Sequence, residues 1–374
     1  RGGYRAEVIA ESERIRIETD HLYGSIALTG GRIDDISLRG YYKTMEKVRN
    51  VDLFSPAGSY YPRYASFGWA DQTKKVKVPT KTSRWQVAGG GAPVLRQGVP
   101  LTIFWENGEG LRFERRFTVD ENFLFTVSQR VVNKSNRDVT LFPYAVLAQH
   151  GLPEDLYGRW VVHEGPIGYI DDELVELSYK KIKDKKFREM SGQKGWLGIT
   201  EHYWLSALFP ANETDNVFHF IYNAPEESGQ AQPRYQVDVM GPGRTVQSGD
   251  SFENVTQVYV GPKKLKMLEA YGKQYDWGHI DLSVDFGMYY FLTKPLYYLL
   301  HWLGDLTGNF GIGIILLTFV VRIFVFPLAN TSYRSFAKLR KIGPQMTALR
   351  EKYGDDKEKL QAGLVKLYEK EKVN

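Results

Sequence analysis

The chain has no cysteine among its 374 residues. That excludes disulfides, a thiolate nucleophile and cysteine-ligated zinc or iron–sulfur sites. It does not fix the compartment, but it suits an oxidising one, where stray thiols are a liability. Histidine is scarce: His21, His150, His163, His202, His219, His279 and His301 show no metal-ligand spacing. There is no P-loop, no G-x-S-x-G and no G-x-G-x-x-G after a strand. Neither metal nor cofactor is expected, and no catalytic residue stands out. Carboxylates in the first two thirds could in principle supply a glycosidase-like acid pair, but nothing singles out two of them. An excess of one charge is missing too. Lys and Arg number 49 against 44 Asp and Glu, a net +5, so the total does not imply nucleic acid. The opening "RGGYRAEVIA" is neither a signal peptide nor a spanning helix.

What is present divides the chain. Residues 1–262 read as soluble and β-rich. "RIRIET" alternates from Arg14 to Thr19. "LRFERRFTV" alternates, slips at Arg115–Arg116 and resumes, as a β-bulge would make it do. Further strand patterns occupy 122–133, 216–224, 234–241 and 253–261, with turn signals such as "NKSNRD", "GPGR" and "SGDS" between them. Many short strands with few helical runs predict a large antiparallel β-sandwich. "YKKIKDKKFRE" (179–189) is expected to be a solvated basic loop or an edge strand. A short helix starting at Pro262 would link this domain, through 263–283, to the apolar C-terminal third.

Residues 284–308 are rich in aromatics. Pro295 falls mid-run, where it costs a helix about 3 kcal/mol, and Lys294, His301 and Asp305 interrupt the apolar residues. Tyr289, Tyr290, Phe291, Tyr297, Tyr298 and Trp302 suit a headgroup zone. The expectation is an amphipathic helix on a membrane surface, with a poorer second spanning helix as the alternative. Residues 309–329, "NFGIGIILLTFVVRIFVFPLA", would form a helix roughly 31 Å long, matching a hydrocarbon core of about 30 Å. Residues 330–350 hold Arg334, Lys338, Arg340, Lys341 and Arg350 with no acid, whereas residues 276–308 hold Asp276, Asp281, Asp285 and Asp305 against Lys294. The positive-inside rule then places the C-terminal side in the cytoplasm and the β domain outside.

Residues 330–374 carry helical stripes. Phe336, Leu339, Ile342, Met346, Leu349 and Tyr353 form one, and Leu360, Leu364, Leu367 and Tyr368 another. "GP" at 343–344 can end one helix and begin the next. In "YGDDKEK", Asp355 or Asp356 would cap the last helix, with Glu358 in its first turn. The pattern predicts a cytoplasmic helical hairpin, in which Met346, Leu349, Leu364 and Tyr368 either pack on each other or touch a partner. The C-terminal "YEKEKVN" stops just after a helical pattern, so the chain reads as a piece of a longer protein.

The stretch from Gly308 to Asn374 resembles the YidC family of membrane protein insertases. The matching features are the Arg in "FVVR", the "FPL" after it, "YRSFAKLRKIGPQ" and "YGDDKEKLQ". "TKPLYYLLHWLGDLTGNFG" resembles the family's surface helix, and "KGWLGITEHYWLSALFP" a stretch of its periplasmic β-supersandwich in Gram-negative members. The resemblance implies an inner-membrane insertase and chaperone, acting alone or with the Sec translocon. Its partners would be nascent membrane proteins, lipids and a ribosome or targeting factor. It maps the family's groove arginine onto Arg322, with Thr318 on the same helix face as a second groove residue and acidic substrate tails as what the cation attracts. From the residues alone, Arg322 could instead snorkel, about 10 Å from the helix end. Pro327 would kink or end the embedded part. The family's insertase core has five spanning helices, of which one is found here. Two other functions compete: a membrane-anchored periplasmic carbohydrate-binding or carbohydrate-processing domain, which a cleft with convergent acids and aromatics would favour, and a sensor, which would need an output module.

Overall fold

Alternation of inward apolar and outward polar side chains turns most of the first 262 residues into sheet. The computed structural model describes residues 4–153, 156, 162–225, 232–287, 289–354 and 356–370. In it "LRFERRFTV" is one strand, Leu111–Val119, with Leu111, Phe113, Arg115, Phe117 and Val119 all buried. Its register is unbroken against both Leu101–Glu106 and Leu124–Asn133. The bulge expected at Arg115–Arg116 is therefore absent. The period of two never slips; an arginine takes an inward position. The irregularity lies elsewhere: Ser25 pairs with Asp35 and Ile26 with Ile33, so Asp34 is the extra residue of a bulge.

Two sheets form among the described residues. One has eleven strands and runs from Phe187–Gly192 through Asn216–Asn223, Arg234–Met240, Val139–His150, Arg63–Ala70, Arg32–Tyr42, Leu22–Ala27 and Arg14–Glu18 to Val94–Leu95; Arg244–Val246 and Asn50–Phe54 pair off this path. The other has nine, from Glu173–Glu176 through Gly165–Ile170, Gly195–Thr200, Trp204–Pro210, Ser251–Pro262, Leu124–Asn133, Leu111–Val119 and Leu101–Glu106 to Gln86–Val87. Pairing is antiparallel except where Val94–Leu95 meets Arg14–Glu18. Inner-face residues of both sheets, among them Trp69, Phe113, Phe125, Trp196 and Phe218, share one hydrophobic core. This is the expected antiparallel sandwich.

Arg115 joins the two sheets. Its guanidinium donates to the carbonyls of Gly30 at 3.2 Å, Gly31 at 2.5 Å and Phe67 at 2.7 Å, and it lies 4.3 Å from the centre of the Trp85 ring. Burial pushes its pKa down to about 9, which still leaves it charged at neutral pH. Gly31, at φ +59°, makes room for it: a β-carbon there would stand 2.5 Å from a guanidinium nitrogen.

Helices fill in the rest of this unit, which extends to Asp285. Helix α1 is Arg5–Ala10, pinned by Arg5 to Asp35 and Asp52. Residues 179–189 are neither wholly loop nor wholly strand. Helix α2, Tyr179–Lys185, buries Tyr179 and Ile182 and is capped by Ser178, whose hydroxyl accepts from the Lys181 amide at 3.3 Å. The edge strand begins at Phe187. Pro262 closes a strand, and helix α3 starts at Leu265 and ends at Tyr275. The expected linker is built into the sandwich instead. Leu268, Tyr271, Trp277 and Ile280 join the core, and the Trp277 and Phe209 rings stack with centroids 3.6 Å apart.

The second unit, Phe286–Asn374, is helical. Helix α4 is Tyr290–Thr307, with Pro295 inside it. Gly308, at φ +66°, ends it in the left-handed conformation that favours glycine. Asn309 then caps helix α5, accepting from the amides of Gly311 at 2.8 Å and Ile312 at 3.3 Å. Helix α5 runs unbroken from Phe310 to Tyr353. Gly343–Pro344 does not divide it: proline removes one backbone donor, and the strong helix formers on either side carry the helix through. Helix α6 is Lys357–Lys370, and Asp356 accepts from the Lys359 amide at its start, at 3.2 Å. Asp355, the other candidate cap, and residues 371–374 lie outside the described residues.

Candidate functional site

Helix α5 is the one helix among the described residues that is long and apolar enough to cross a membrane. Its 44 residues span about 66 Å, so a segment of about 30 Å can lie in hydrocarbon with a comparable length beyond it. Asparagine at the cap, branched and aromatic residues through 310–328 and basic residues from Arg334 onward set that division. Arg322 is exposed on this helix, among the exposed apolar side chains of Phe319, Ile323, Phe324 and Phe326. Thr318 lies one turn earlier, also exposed; its hydroxyl donates to the Ile314 carbonyl at 2.8 Å. Pro327 is inside the helix. Its missing N–H leaves the Ile323 carbonyl without its helical donor, while the Pro327 carbonyl accepts from the Thr331 hydroxyl at 2.9 Å.

Sequence reasoning did not find the seam that fixes the start of this helix. Helices α4 and α5 meet at Gly304 and Gly313. A β-carbon on Gly313 would lie 3.0 Å from the Gly304 nitrogen, and one on Gly304 would lie 2.9 Å from the Phe310 ring. The two backbones are nearly in contact, which only glycine allows. The signal was present as small residues in "WLGDLTGNFGIG". At the other end, Tyr368 lies over Met346, its hydroxyl 3.7 Å from the sulfur, and Leu349 faces Gly363. Leu364 is half-buried, while Ile342 and Leu367 are buried.

In the β unit the structure brings together titratable residues that no motif signalled. Arg63 pairs with Glu201. Lys263 donates to the Thr200 hydroxyl at 3.0 Å. Burial lowers its pKa to about 8, against the opposing pull of Asp285, Glu164 and Glu201. His150 is 2% exposed, and neither of its ring nitrogens has a hydrogen-bond partner among the described residues. Burial, with Arg234 beside it, lowers its pKa to about 4, so the ring is neutral at pH 7. On the outer face His219 is held between Asp238 at 2.7 Å and Glu189 at 3.2 Å, which raises its pKa. Among the described residues no cluster of histidines and acids could hold a metal ion.

A large β-sandwich and a long apolar helix in one chain define a membrane-anchored protein with a substantial domain outside the bilayer. Residues 14–299 match the family described as the YidC periplasmic domain, and residues 302–374 that described as 60Kd inner membrane protein. The chain belongs to the YidC family, and so to the inner membrane. It is 40% identical to the membrane protein insertase YidC of Nitrobacter hamburgensis, over 99% of this chain and 62% of that protein. Against the same-named protein of Rickettsia bellii the identity is 36%, over 98% of this chain and 64% of that one. The chain thus spans about three fifths of these relatives. A galactose mutarotase related enzyme from Lactobacillus acidophilus covers 67% of this chain and 97% of its own, at 12% identity and a TM-score of 0.45. A likeness that distant transfers no site.

Proposed function

We propose that this chain forms the periplasmic domain and first core helix of a membrane protein insertase and chaperone, working alone or with the Sec translocon. The observation that carries the reading is Arg322: a cation exposed among apolar side chains on the one long apolar helix among the described residues, in a chain whose relatives are named insertases. Charge at that depth costs about 2.5–3.5 kcal/mol, which a function must offset. In the proposed arrangement Arg322 faces a water-filled groove, with Thr318 one turn away on the same wall. The groove draws in an acidic residue of a substrate's translocated tail, and the substrate's apolar helix passes into lipid. The free Ile323 carbonyl beside Pro327 is a further polar group on this helix for water or tail.

The basic residues after 330 keep the C-terminal hairpin in the cytoplasm, with the β unit in the periplasm. Helix α4 lies at the membrane surface, with exposed Tyr289 just before it and exposed Phe291 and Trp302 on it in the headgroup zone. Met346, Leu349, Leu364 and Tyr368 hold the hairpin together, and its exposed basic face is where a ribosome or targeting factor would dock. The experiment is insertion of an acidic-tailed single-span substrate by the full-length protein reconstituted in liposomes. Arg322→Ala should cut the yield several-fold while a neutral-tailed substrate inserts as before. Equal yields for both substrates would overturn the groove role.

A further inference from the structure

We propose that the β unit carries a second binding site, a cavity of about 670 Å³ whose occupant is a neutral saccharide. The volume lies within the range of small-molecule sites, about 300–1,000 Å³. The cavity is built where strand ends and turns from both sheets converge with helix α1: Asp52, Arg63, His150, Glu201 and Trp204 all line it.

Three observations select the ligand class. The first is the rim. Tyr42, Tyr60, Tyr61 and Tyr203 line the cavity and expose between 39% and 58% of their surface. Four half-exposed tyrosines around one concavity offer flat apolar faces with polar tips, to which the C–H face and the hydroxyls of a pyranose are complementary. The second is charge. The charged groups of the lining nearly balance: four cations, Arg5, Lys43, Arg49 and Arg63, face three acids, Asp52, Glu164 and Glu201, with Arg63 on Glu201 and both Arg5, at 2.8 Å, and Arg49, at 3.0 Å, on Asp52. Paired in this way they set up no strong field of one sign, so an ion of either charge is a poor occupant. Carboxylate and guanidinium edges still accept and donate to hydroxyls. The third is His150. It is 2% exposed, lines the cavity, and has both ring nitrogens without a partner among the described residues. A buried polar group left unpaired carries an uncompensated desolvation cost, which a ligand's hydroxyls would relieve. A neutral imidazole offers one donor and one acceptor, and a vicinal diol presents the matching acceptor and donor at neighbouring positions. A peptide backbone also carries both; the four tyrosine faces favour the saccharide, and a peptide is the competing outcome of the test.

The test uses the full chain in lipid nanodiscs, free of sugar-headed detergent. The probes are maltose, lactose, mannobiose and diacetylchitobiose, with an uncharged acetylated hexapeptide of Ser, Val and Thr alongside. Binding is read by tryptophan fluorescence, to which Trp204 in the lining contributes, and by saturation-transfer NMR. The expected result is saturable binding of at least one disaccharide, weakened tenfold or more by Tyr61→Ala and by Tyr203→Ala. Both side chains are half-exposed, so these variants should unfold at the parent temperature. His150→Asn should weaken the same disaccharide. Saturation by none of the four, saturation by the peptide alone, or equal affinity in the two tyrosine variants would overturn the proposal. Insertion by Arg322 variants is independent of each of these outcomes.

Discussion

Replacing Arg115 tests how the sandwich is held together. The side chain spans from the Leu111–Val119 strand of one sheet to the Phe67 carbonyl and the Gly30–Gly31 turn of the other, with three hydrogen bonds and a stacked Trp85. Arg115→Met keeps most of the volume and removes the charge. It leaves three carbonyls without this donor, at about 1–3 kcal/mol each if all remain unpaired. Against that, the cost of burying a guanidinium, visible in its depressed pKa, is relieved. The balance is a net loss of about 3 kcal/mol, within the range for breaking buried polar networks. Arg115→Lys keeps the cation but replaces a fixed fork with a point charge that cannot reach all three oxygens, so about 2 kcal/mol is expected. The assay is urea unfolding of the β unit within the full chain, monitored by near-ultraviolet circular dichroism of its tryptophans. A loss below about 1 kcal/mol for Arg115→Met would refute the reasoning, because the carbonyls would then be satisfied without it.

Two further outcomes rest on particular contacts. Gly313→Val should separate α4 from α5, since its β-carbon would meet Gly304 backbone at 3.0 Å; hydrogen exchange across Tyr290–Thr307 should quicken, and unchanged exchange would contradict the seam. His150, with its pKa lowered to about 4 from the ordinary 6.5, is neutral in the folded state, while the unfolded chain takes up a proton below pH 6.5. Stability from this residue is therefore present above pH 6.5 and lost as pH falls to about 4, by at most about 3 kcal/mol. His150→Asn should flatten that part of the unfolding profile, and an identical slope would contradict it.

Much of the fold was legible because the period of two is hard to disguise. The sandwich, the apolar helix and its cap-rich surroundings could be read off directly. The misreadings have physical causes. Arg115 looked like a slip in the pattern because a guanidinium is assumed to face outward; three carbonyls, two from the distant Gly30–Gly31 turn and one from Phe67 in a strand of the other sheet, make the inward position tolerable, and neither is visible locally. In 179–189 the lysines masked a helix whose signals were Ser178 as cap and Tyr179 with Ile182 three residues on. The segment after Pro262 read as a linker because what ties it down is not visible locally: Trp277, just past helix α3, stacks on Phe209 of a strand far back in the chain. Pro344 was given the power to end a helix that its neighbours sustain. Arg322 stood out in the sequence as a charge in an apolar run, and its groove role, with Thr318, is the proposal drawn from the family resemblance. The cavity was not legible, since its lining is gathered from separate stretches between Tyr4 and Trp204.

The most direct test of the central claim is a charge exchange at Arg322 in the full-length protein, reconstituted with a substrate whose translocated tail carries either acidic or basic residues. Arg322→Glu should impair insertion of the acidic tail and restore insertion of a tail whose acids are replaced by lysine. If Arg322→Glu handles both tails as the parent does, or impairs both equally, the residue does not act on substrate charge and the groove account is wrong.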